Sequence, residues 1–123
     1  MKNEPFDAPL LDTAVFDGFR KAKGDFSTAE HLTGFPEMSR YRLVAASRAA
    51  EAAEWQAVGQ SALDIKTSAA ELGLLRLANA AAEIETTCAD GRIEDAQRLL
   101  VGLQVYLLAA MDAIRAHVKE LGL

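Results

Sequence analysis

Residues able to do chemistry are few in this chain, and they are scattered. In "SALDIKTSAAELG", residues 61 to 73, Lys66 stands one helical turn from Leu63, with Gln60 and Thr67 on the same side. An ammonium with two polar neighbours is the raw material of an anion site. The residue at the centre, Leu63, has no lone pair, no titratable proton and no nucleophilicity. His31 falls in a stretch of weak patterning. His117 falls near the end of the last predicted helix, where an imidazolium complements the carboxyl end of the dipole. Neither histidine has a Lys three residues on. The single Cys88 lies on an apolar helical stripe and is expected as a buried small hydrophobe, because a reactive thiolate needs an outward, electropositive setting. No Glu-x-x-His pair, Gly-rich phosphate loop or Gly-x-Ser-x-Gly elbow occurs, and Glu51 with Glu54 reads as a solvated face. No catalytic residue, metal site or cofactor is expected.

The elements that must position Leu63 follow from apolar spacing. Trp55, Val58, Ala62, Ile65, Ala69 and Leu72 recur at alternating steps of three and four, one stripe of a helix that Gly73 ends. At about 100° per residue, Leu63 points roughly 130° away from the centre of that stripe. It therefore faces solvent or a partner, among Gly59, Gln60, Lys66, Thr67 and Ala70. Gly59 is an unfavourable residue inside a helix, which suggests close packing or a flat, accessible surface beside Leu63. Leu74, Leu77, Ala81, Ile84 and Cys88 repeat the rhythm until the Asp90-Gly91 turn, and Ile93 to Ile114 carry it on to about residue 120. Upstream, Asp12 is suited to cap a short helix over 13–22, with Leu11 and Phe16 at staple spacing and Gly24 at its end. Arg20, Lys21 and Lys23 complement its dipole. Gly34 and Pro36 are expected to bar a helix from running through them, so the remaining long helix is predicted over 36–53 with Pro36 at its first position. A turn near Ala53 and Glu54 is inferred from the shift in the apolar stripe. Short connections force antiparallel neighbours. The predicted fold is all-α: an up-down antiparallel four-helix bundle with a short additional N-terminal helix, a flexible arm over 1–10 and a bundle domain over 11–121.

The chain has 123 residues, half of them hydrophobic, enough for one sizeable core. Its 13 Lys and Arg against 18 Asp and Glu give a net charge of −5, which offers no global attraction to phosphate backbones. The longest unbroken apolar run is "VYLLAAM" at 105–111, far short of the roughly 20 residues of a membrane span. Neither nucleic acid nor membrane is expected as a partner, and a lone cysteine suits a reducing, cytoplasmic setting.

The text "WQAVGQSALDIKTSAAELG" resembles the signature helix of histidine phosphotransfer (HPt) domains, whose pattern is His-x-Leu-Lys-Gly-Ser-Ala with Leu-Gly shortly after. Ile65 stands for its Leu, Lys66 for its Lys, Ser68-Ala69 for its Ser-Ala and Leu72-Gly73 for its Leu-Gly. The likeness extends over about residues 10–118. It implies an HPt-like bundle in a bacterial phosphorelay, with the acceptor position falling on Leu63 and Thr67 replacing the small Gly. A leucine there cannot relay phosphate. The resemblance thus implies a pseudo-HPt domain that docks on a receiver domain or histidine kinase through Gly59, Gln60, Leu63, Lys66, Thr67 and Ala70. Two other readings remain open: a phosphotransfer protein whose acceptor is replaced, and a structural or oligomerisation bundle. A monomer or weak homodimer is expected.

Overall fold

The computed structural model describes residues 8–122. Five helices follow one another: α1 Thr13–Lys23, α2 Asp25–Glu51, α3 Trp55–Glu71, α4 Leu75–Ala89 and α5 Ile93–Glu120, with no strand among the described residues. α3 packs between α2 and α4, and α5 closes the ring against α4 and α2, while the short α1 lies on α2 and α3. This is the expected all-α, up-down bundle with a short extra helix.

The starting point is local. The Asp12 carboxylate accepts hydrogen bonds from the Ala14 and Val15 amides at 3.0 and 3.3 Å, capping α1 as its sequence position demands. Phe16, at the staple position, is fully buried, and Leu11 packs against the same core. The first seven residues of the expected arm lie outside the described residues. Next to them, the Ala8 and Pro9 carbonyls accept bonds from the side chain and backbone amide of Arg76, at 2.8 and 3.1 Å.

One kind of turn makes all three later connections. Ala53, Gly73 and Gly91 have φ of 58°, 80° and 74°, and the amide after each reaches back to the carbonyl five residues earlier: Glu54 to Ala49, Leu74 to Ala69, Arg92 to Thr87. These left-handed closures satisfy carbonyls that a helix end would leave bare. Ala53 adopts the conformation without being glycine, so no Gly or Pro marks that boundary. At Gly73 the requirement is sharper. Its carbonyl accepts the Asp12 amide at 2.7 Å, and a Cβ there would stand 2.6 Å from the Asp12 carbonyl oxygen.

The expectation for residues 25–53 needs correction. α2 runs unbroken through Gly34 and Pro36, and Pro36 lies in its interior rather than at a first position. A helical proline forfeits one backbone bond and crowds the carbonyl four residues back. Packing on both sides of it offsets that cost. Thr28 and Phe35 are buried before Pro36, and Ser39, Ala46 and Ala49 after it. The first turns are also reinforced by side chains: Thr28 donates to the Gly24 carbonyl at 2.7 Å, His31 Nδ1 to Ser27 at 2.8 Å and Thr33 to Ala29 at 3.0 Å. His31 is therefore helical, its ring edge-on to Phe19 at 5.0 Å.

Two substitutions test this account by chemical denaturation. Gly34 has no neighbour within 4 Å of where a Cβ would sit, so Gly34→Ala is expected to raise stability by about 0.5–1 kcal/mol. Gly73→Ala meets both a left-handed φ and the Asp12 carbonyl, and is expected to cost about 2 kcal/mol or more. A destabilised Gly34→Ala would show that α2 is not helical there.

Candidate functional site

The six residues expected on one face of α3 differ in how far they are exposed. Val58, Ala62, Ile65, Ala69 and Leu72 are buried, as their spacing predicts. That leaves Gln60, Thr67 and Ala70 exposed, with Gly59, Leu63 and Lys66 half-buried. Leu63 does not stand free on the helix crest, as its angle alone suggested. It lies in a shallow groove of about 280 Å³ between α3 and α4, with Trp55, Gly59 and Gln60 on one wall and Glu85, Cys88 and Ala89 on the other. A Cβ on Gly59 would sit 3.6 Å from the Cys88 Cβ, an ordinary contact. The glycine is therefore not forced by a clash, and its missing methyl leaves the groove floor open.

Electrostatics separates Lys66 from the role its position suggested. Its ammonium bonds the Glu85 carboxylate at 2.9 Å, each side chain about one third exposed. On the other flank Arg42 of α2 bonds Asp64 at 2.6 Å, and Gln60 donates to Asp64 at 3.3 Å. Two ion pairs thus bracket Leu63 and tie α3 to both neighbours. Partly exposed pairs of this kind stabilise by about 0–1 kcal/mol each, so they orient more than they hold. An anion entering the groove would have to compete with Glu85 for Lys66. Thr67 turns its hydroxyl back on the Leu63 carbonyl at 3.0 Å. Thr67 and Ala70 continue the face beyond the groove without lining it.

Sequence reasoning missed Arg42, Asp64, Glu85 and the groove wall of α4. Asp64 and Glu85 carry no spacing signal, since their partners lie 22 and 19 residues away. Arg42 stood in a helix whose first half was predicted irregular. A larger cleft of about 430 Å³ between α2 and α3, with Phe35, Met38 and Ser68 in its lining, was invisible for the same reason.

The other candidate side chains are accounted for. Cys88 is half-buried in the groove wall, not enclosed in the core as its stripe position implied, and burial pushes its thiol up from the ordinary value. His117 does more than complement a dipole. Its Nε2 meets the Asp17 carboxylate at 2.9 Å and its ring stands edge-on to Phe16 at 5.5 Å, so it clamps α1 to α5. Glu51 and Glu54 are exposed. Among the described residues no group of three or more His, Cys, Asp or Glu side chains is placed to hold a metal ion.

No protein-family model and no curated protein sequence matches the chain. Among solved structures, it is similar to the crystal structure of histidine-containing phosphotransfer protein B from Pseudomonas aeruginosa PAO1. The TM-score is 0.83 at 21% identity, over 92% of this chain and 97% of that one. The fold is the HPt fold. The Leu63 groove presents an apolar floor with the Cys88 thiol, raised by burial, in its wall, and the Glu85-paired Lys66 lies beside it.

Cys88 gives a direct check. With its thiol raised above the ordinary range, alkylation by iodoacetamide at pH 7–8 is expected to be slower than for free cysteine and to accelerate as pH climbs past the usual thiol value. Denaturant should restore the ordinary rate. A native rate faster than free cysteine would mean an activated thiolate.

Proposed function

We propose that the chain is a non-catalytic HPt-like interaction module of a bacterial two-component phosphorelay, docking in the cytoplasm on a receiver domain or histidine kinase without carrying phosphate. The observation that carries this reading is Leu63: an aliphatic side chain in an accessible groove of α3, at the position the sequence resemblance assigns to an acceptor imidazole. The fold is consistent with it: Gln60, Thr67 and Ala70 are exposed on α3, with Gly59, Leu63 and Lys66 half-buried beside them. An apolar centre with a polar rim suits protein contact, and Gln60, Thr67 and the Lys66–Glu85 pair supply that rim.

His117 has 12% of its side chain exposed and engages Asp17, which leaves it poorly placed as an acceptor. His31 is exposed, and donation from its Nδ1 to the Ser27 carbonyl leaves the Nε2 lone pair open, but it lies on α2 outside the Leu63 groove. Docking through that groove would let the domain compete for, scaffold or restrain a relay partner without its groove residues taking part in the chemistry.

Leu63→Glu tests the proposal in a binding titration against receiver and kinase domains of the source organism. Placing a carboxylate beside Glu85 in an apolar contact is expected to weaken binding at least about tenfold, equivalent to about 1.4 kcal/mol, with the helical signal and melting midpoint close to wild type. Lys66→Gln separates charge from shape and is expected to weaken binding less. Wild-type affinity in Leu63→Glu would remove this face from the contact.

A further inference from the structure

We infer that the outer face of α5 is a homodimer interface, formed by two α5 helices packed antiparallel about a two-fold axis at Val105. Val101, Val105 and Leu108 follow at i, i+4 and i+7, yet are 81%, 67% and 52% exposed, an unpaired helical seam in mid-helix. α5 is long and apolar enough to raise the question of what covers it. Its inner stripe is satisfied by the bundle through Ala96, Leu103, Leu107, Ala110 and Ile114. Among the described residues the outer stripe has no counterpart.

The occupant is identified by self-complementarity. In an antiparallel pair with two-fold symmetry, positions equally far on either side of the axis face each other. About Val105, Leu108 then faces Gly102 of the second copy and Val101 faces Ala109, large against small on both sides. Arg98 faces Asp112, and Arg115 faces Asp95. In the isolated chain these four charges pair within their own helix, Arg98 with Asp95 and Arg115 with Asp112, each three residues apart. Dimerisation exchanges those partners without stranding a charge. Gly102 gains an explanation too. Among the described residues a Cβ there would meet nothing closer than Tyr106 at 3.8 Å, so none of them requires a glycine that the helix would rather not have. Beside the seam, Leu43, Val44 and Arg48 of α2 line a groove with Leu100 and Val101 that widens the contact. A membrane surface would call for a uniformly basic rim, whereas this rim alternates in sign.

In the ring of four helices, α5 stands diagonally across from α3. The dimer therefore leaves the Leu63 groove open on both copies. It stands independently of the docking proposal above.

Sedimentation equilibrium on the full chain, at concentrations up to about 1 mM, provides the test. Wild type is expected to show a monomer–dimer equilibrium. Val105→Glu, exposed in the monomer and so harmless to its fold, is expected to raise the dimer dissociation constant at least about tenfold. Two charge variants then probe the pairing. The chain with Arg98→Asp and Arg115→Asp, and the chain with Asp95→Arg and Asp112→Arg, should each dimerise poorly alone and associate when mixed. A wild type that stays monomeric overturns the inference. So does a dimer insensitive to Val105→Glu but lost in Leu63→Glu. Binding of the monomer to vesicles of phosphatidylserine and phosphatidylcholine that Val105→Glu abolishes would assign the face to lipid instead, and equally overturn it.

Discussion

The rotation of α3 about its own axis is set by five side chains, and the character of the site follows from it. Val58, Ala62, Ile65, Ala69 and Leu72 lie in the core with almost no exposed surface. Turning the helix to bury Leu63 would bring these residues out, at about 25 cal/mol for every Å² of apolar surface returned to water. The left-handed turn at Gly73 holds the end of that helix against the start of α1 through the Asp12 amide. Leu63 is thereby kept at the surface by the needs of its neighbours. What that position can do depends wholly on which side chain occupies it.

Around Leu63 the charges are arranged in closed pairs. Lys66 is joined to Glu85 and Asp64 to Arg42, so the face has charged groups but little free charge to draw an anion. The same pairs bridge α3 to α2 and α4. Burial raises the Cys88 thiol in the groove wall above its ordinary value. A weakly charged, half-apolar groove matches the docking role we propose for it.

Much of this was legible in the sequence, and the failures are instructive. The alternation of threes and fours located α3, α4 and α5 to within a residue or two, and Asp12 and Gly24 bounded α1, because those signals are local. Pro36 misled. Its local penalty is real, but the burial of Phe35 and Ser39 that offsets it depends on helices distant in sequence. Leu63 was placed on the correct side of α3, yet its partial burial comes from the proximity of α4, which no single-helix projection contains. The Arg42–Asp64 and Lys66–Glu85 pairs join residues on separate helices, and only the relative rotation of those helices brings them together. The exposed seam on α5 lay hidden in the same way: the long apolar run at 105–111 spans both faces of its helix, and only packing separates Leu107, Ala110 and Met111 from Val105 and Leu108.

Our proposal is that this HPt-like domain docks through the Leu63 face without accepting a phosphoryl group. Intact-mass measurement and an acid-lability assay after incubation with acetyl phosphate, and with a phosphorylated receiver domain, test it most directly. The account predicts an unmodified chain under both conditions. Stoichiometric acid-labile phosphate that disappears when His31 or His117 is replaced by Gln would contradict it.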